Sequence, residues 1–162
     1  MPPADALMMN LQTAMSYRKM GTLAREDLPD IATEALLMGE DTESLRLLAG
    51  LTPVEGDQAW DLFDLAIEEL GLHQPNELEA TRIVTASIAQ RASTGGMSLH
   101  DAIRTLAAVC VRLRWQVPES MPFLDDALYL TEALDAPELF EWSQEELDQR
   151  CQEVVQQALM GG

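Results

Sequence analysis

Basic residues are what this sequence is shortest of. Lys19 is its only lysine, and with nine arginines it sets ten positive charges against 28 carboxylates, a net charge of −18. A chain so composed cannot lay down the basic stripe that tracks nucleic-acid phosphates, and anionic lipid repels it. Histidine is nearly missing as well: His73 and His100 are the only two. His73 follows a Gly-Leu pair at a helix end, and His100 lies in a first helical turn, where the helix dipole disfavours its charged form. Acyl-transfer chemistry needs a histidine within hydrogen-bond reach of a nucleophile, and a catalytic role is expected of neither. The two cysteines, Cys110 and Cys151, sit in apolar helical runs, where a buried reduced thiol is expected.

Other absences narrow the field further. No apolar run approaches the ~20 residues that span a bilayer. The opening residues reach Arg18 only after Asp5, the reverse of a secretory leader, so a cytoplasmic protein without membrane contact is expected. Di-iron bundles use Glu-x-x-His, but Leu70 and Met97 stand three residues before the histidines. There is no Cys-x-x-Cys and no His-Glu-x-x-His. The carboxylate-dense DQAWDLFDLAIEE lacks the mid-loop glycine of a calcium loop, and Gly95-Gly96 stands alone before a helix, as a turn. No cofactor, no metal and no enzymatic activity are expected.

What is present is helical. Apolar residues make up 47% of 162, enough for a real core, and every long segment repeats with the helical period. An all-α, sheet-free bundle of about eight helices follows, as one domain over residues 1–162. The first helix is expected near 5–20, with Leu7, Met8, Leu11 and Met15 on one face. The second follows Asp27 as cap, with Pro29 in its first turn and Ile31, Ala35, Leu36 and Met38 inward. Gly39 ends it, Asp41 or Thr42 caps the third, and Leu45, Leu48 and Leu51 carry that helix's apolar stripe. A fourth helix over 56–71 buries Trp60, Phe63, Ile67 and Leu70. The fifth opens on an Asn76/Glu79 capping box and buries Ile83, Ala86 and Ile88. The sixth, 99–116, is capped by Ser98, and its narrow polar strip makes it the expected central, most buried helix. The seventh, from Pro122 to Asp135, turns Leu124, Ala127, Leu128 and Leu134 inward. A short turn at PELF precedes the eighth, which a Ser143/Glu146 box opens and which buries Leu147, Cys151, Val154, Ala158 and Leu159.

The acids are unevenly placed. Residues 119–162 hold 11 of them against one base, Arg150. Two acidic surfaces are expected. Asp57, Asp61, Asp64 and Glu68 recur along one face of the fourth helix, each like-charged pair opposing helix formation by ~0.2–0.5 kcal/mol. The second surface gathers Asp125, Asp126, Glu132, Asp135, Glu138, Glu141, Glu145, Glu146 and Asp148. Both are read either as solvated faces or as docking sites for a basic protein. Arg104, Arg112 and Arg114 of the sixth helix are expected to pair with acids of neighbouring helices.

Three stretches, ATEALLMGEDTESLRLLAGL, MSLHDAIRTLAAVC and MPFLDDALYLTEALDAPE, resemble the motifs of a family of small, acidic, all-helical bacterial proteins without a known activity. Ala107 and Leu130 stand where that family's later motifs carry tryptophan. The resemblance implies a helical fold and no activity. The −18 charge, the two acidic surfaces, the small size and the missing catalytic set make the leading expectation an acidic module that binds and masks a basic partner, most concretely an immunity protein that neutralises a polymorphic toxin. A nucleic-acid mimic that regulates a DNA-binding protein, a helical enzyme with a carboxylate-metal site, and a helical scaffold or oligomer subunit stay open beside it, as does the oligomeric state.

Overall fold

In the computed structural model of the chain, residues 9–114 and 116–161 are described, all but the side chains of Pro53 and Val54. Eight α-helices form and, among the described residues, no strand: α1 (Leu11–Lys19), α2 (Leu28–Leu37), α3 (Glu43–Ala49), α4 (Ala59–Glu69), α5 (Glu77–Ser93), α6 (Leu99–Arg112), α7 (Phe123–Asp135) and α8 (Gln144–Met160). Tight 3₁₀ turns occupy Arg25–Asp27, Pro53–Gln58 and Pro137–Leu139, the last where PELF predicts a turn. The described residues fall into two compact units, one up to Ala80 and one from Thr81, dividing in the first turn of α5. Among them no helix is long and apolar enough to cross a membrane.

The caps explain why helices begin and end where they do. Thr42, Ser98 and Ser143 accept the N–H three residues on, and Asn76 and Glu79 close their reciprocal box at 2.9 Å each way. Gly39, at φ +94°, is the left-handed residue after α2: its N–H bonds Leu36 and the next, from Glu40, bonds Ala35, so two otherwise orphaned carbonyls are satisfied. Asp41 leaves the capping of α3 to Thr42 and takes the Arg46 guanidinium instead. The hinge between α2 and α3 is thus occupied by structural contacts.

In the first unit α2 packs on α3, α3 on α4, and α1 against α2. Leu11, Met15, Leu28, Ile31, Leu45, Leu48, Phe63 and Ile67 form the core, interleaved with Ala14, Ala32, Ala35, Ala59 and Ala66. Trp60 and Leu70 flank it, half-buried. In the second unit α6 packs on both α7 and α8, which also pack on each other. Ile103, Leu106, Ala107 and Cys110 of α6, Leu124, Ala127 and Leu130 of α7, and Cys151, Val154 and Val155 of α8 are among its buried residues. Ala107 and Leu130, the two positions where the resembling motifs carry tryptophan, are buried.

Several sequence expectations are corrected. The described α1 starts at Leu11 behind an Asn10 cap, and Leu7 and Met8 lie outside the described residues. Asp27 precedes α2 without a side-chain cap bond, and Met38 is 61% exposed at the helix end. α4 starts at Ala59, because the Glu55 carboxylate accepts the Thr52 N–H and hydroxyl and winds the preceding residues into a 3₁₀ turn. α6 stops at Arg112, and Arg114 takes a left-handed φ of 51°. Ile83, Ala86, Leu128, Leu134 and Leu159 are only half-buried. Val84, Ala89, Leu130, Ala133 and Val155 go inside instead.

Candidate functional site

The α4 acids are the first candidate. Asp57 lies in the 3₁₀ turn, not on the helix, and its carboxylate meets Arg25 at 3.1 Å. Asp64 takes the guanidinium of Arg18 with both oxygens. Arg18 is held from behind as well, its Cζ 4.6 Å from the Trp60 ring centroid and 5.7 Å from that of Phe63. Two of the four carboxylates are therefore engaged within their own unit. Asp61 and Glu68 remain exposed.

The C-terminal acids sort in the same way. Asp135 pairs with Arg104 of α6 at 2.5 Å. Asp148 accepts from Gln144 and meets His100 Nε2, both at 2.9 Å, and the contact with His100 is the main reason its carboxyl titrates below the usual range. Glu146 closes the cap of α8. Asp125 lies 3.9 Å from the Cys110 thiol. Asp126, Glu132, Glu138, Glu141 and Glu145 are exposed, and among the described residues none of their side chains has a hydrogen-bond or ion-pair partner. Of the α6 arginines, only Arg104 makes the expected pair with a described residue. Burial pushes the Cys151 thiol up to about 11 and raises that of Cys110 too, so both stay protonated and weakly nucleophilic.

The chain matches no known protein family, no curated protein and no solved structure. What this surface does must be read from its own chemistry.

One constellation carried no local signal in the sequence. Tyr129 of α7, Phe140 and Trp142 form a ring cluster, with centroids 5.5 Å apart for Tyr129–Phe140, 5.8 Å for Tyr129–Trp142 and 5.1 Å for Phe140–Trp142. Tyr129 is 52% exposed, and Leu139 beside the cluster is 78% exposed. Glu138 and Glu141 flank these residues in the chain. The one hint was scarcity: three of the eight aromatic residues fall within residues 129–142.

A set of lowered carboxylates gives a pH prediction. Glu69 of α4 reaches the start of α3, where the Thr42 hydroxyl, then the Ser44 hydroxyl and N–H, hold its carboxyl below the ordinary 4.5. Backbone N–H groups do the same for Glu79 through Asn76 and for Glu146 through Ser143. A folded-state value below the unfolded one contributes stability that is complete above about pH 4.5 and is lost as pH falls through the folded value. The thermal midpoint is therefore expected to fall on acidification below pH 4.5, with a shallower slope in Glu69→Gln, measured by melts at stepped pH. An identical slope in that variant would remove Glu69 from the account.

Proposed function

We propose that this protein acts by binding rather than catalysis, as an acidic module that covers a basic protein surface. Its most concrete form is an immunity protein that neutralises a cognate toxin. The observation that carries this is the C-terminal surface: five exposed carboxylates without partners among the described residues, in a segment whose one base is Arg150. Carboxylates kept for solubility alone do not need a ring cluster among them, whereas Tyr and Trp anchors inside a polar rim are what protein interfaces use. Opposite charge steers the encounter, and occlusion of the partner's basic cleft follows from contact.

The test is retention. The immobilised protein is expected to hold a basic protein at low ionic strength and release it as salt screens the contact, with the product of any adjacent toxin-like gene as the first candidate. Retention of acidic or neutral proteins alone, or retention that salt does not weaken, defeats the proposal.

A further inference from the structure

The second unit carries a cleft of about 150 Å³ between α7 and α8. Its floor is apolar, from Leu130 and Val154, each 4% exposed. Tyr129, Trp142, Asp126, Arg150, Glu153 and Gln157 complete its lining. A volume of that size holds a group as large as benzene. Arg150 shows what the ring face accepts: its guanidinium carbon lies 4.3 Å from the Trp142 centroid, a cation stacked on an indole. One guanidinium and two carboxylates line the cleft, so its charge balance is negative.

We propose that this cleft receives an arginine side chain from the basic partner. The flat guanidinium enters beside the Tyr129 and Trp142 rings, and Asp126 and Glu153 accept its N–H groups. Arginine suits such a site better than lysine, because a planar fork both stacks on a ring and bonds carboxylates in pairs, while a compact, strongly hydrated ammonium does neither as well. The inference deepens the docking proposal, and rests on it only for the partner being basic.

The probe is a blocked Gly-Arg-Gly peptide, compared with its neutral citrulline counterpart and with Gly-Lys-Gly. Binding is read from shifts of the Trp142 indole N–H resonance. The arginine peptide is expected to shift it saturably, with the citrulline peptide at least about tenfold weaker. Glu153 also accepts from Gln149 Nε2 at 3.3 Å, and Asp126 stands in the first turn of α7, so the near-isosteric D126N/E153Q variant should lose a little thermal stability. It should stay folded at the binding temperature and weaken the arginine peptide by roughly tenfold. Arg150→Gln should strengthen it about two- to fivefold, by freeing the ring face and removing a like charge. Equal binding of arginine and citrulline peptides overturns the inference, as does tighter lysine binding or indifference to D126N/E153Q. So does a loss of binding in Arg150→Gln, which would show that the resident guanidinium builds the site instead of competing for it. If D126N/E153Q leaves the arginine peptide unaffected yet the protein still captures a basic protein with salt-sensitive retention, the cleft assignment fails while the acidic-surface proposal stands.

Discussion

Replacing Phe63 by alanine is expected to cost about 3–5 kcal/mol of stability. Phe63 is 1% exposed and, among the described residues, is the largest fully buried side chain. It stands on α4 with Ala59, Ala66 and Ile67 inward beside it, and Trp60 meets it edge to face at 6.4 Å and 84°. The core of this unit is built mainly of leucines and alanines, with Met15 and Met20 as its buried, more adaptable fillers. Alanines cannot swing in to close a ring-sized void, so the cavity persists and its cost adds to the lost transfer energy. The Arg18 guanidinium, which lies against Phe63 as well as Trp60, loses part of its backing too, a smaller effect at a half-exposed position. Since whole domains are stable by only about 5–15 kcal/mol, the variant should sit near the edge of folding. Urea unfolding checks this: the midpoint should fall with the slope unchanged, and Phe63→Leu should lose less than half as much. A loss under about 1.5 kcal/mol would mean that the neighbours collapse into the space.

How much of this was legible in the sequence depends on the range of the interaction. The capping boxes at Asn76/Glu79 and Ser143/Glu146 involve residues three apart, and both form as the spacing predicts. Ser98, Thr42 and Gly39 are local in the same sense. The inward face of α7 was only half legible. Leu124 and Ala127 were expected and are buried, but Leu130 and Ala133 go inside where Leu128 and Leu134 were expected. That helix offers apolar residues over more than one stripe, and the partner helices, not the period, choose between stripes. The acidic surfaces were least legible. Whether a carboxylate is free depends on a guanidinium 46 residues away for Asp64, 32 for Asp57 and 31 for Asp135. Spacing cannot see those partners, so a stripe that looks continuous in sequence is broken by ion pairs in space. The Tyr129, Phe140 and Trp142 cluster was hidden for the same reason: the 3₁₀ turn at Pro137–Leu139 folds the chain so that rings 11 and 13 residues from Tyr129 meet it.

Reversing Glu132, Glu138 and Glu141 to lysine is expected to slow association with a basic partner by one to three orders of magnitude at low ionic strength. These three are chosen because none has a partner among the described residues, so their loss breaks no structural contact. Glu132 lies in the last turn of α7, where a carboxylate opposes the helix dipole and a lysine favours it, so the fold should not suffer. Reversal of Asp57 or Asp64 is the informative contrast. Each would set a lysine against the arginine it now holds and disturb the unit itself, so a binding defect there could not be assigned to docking. The triple variant should lose its rate difference from the native protein as salt rises past the point where the Debye length, ~10 Å at 0.1 M, is shorter than the approach distance. Dissociation should change less, because rim charges act on encounter while buried anchors such as Trp142 hold the complex. Stopped-flow association across a salt series separates these effects. An unchanged association rate at low salt would show that the C-terminal carboxylates are a solubilising coat, and that contact, if it occurs, is made elsewhere on the molecule.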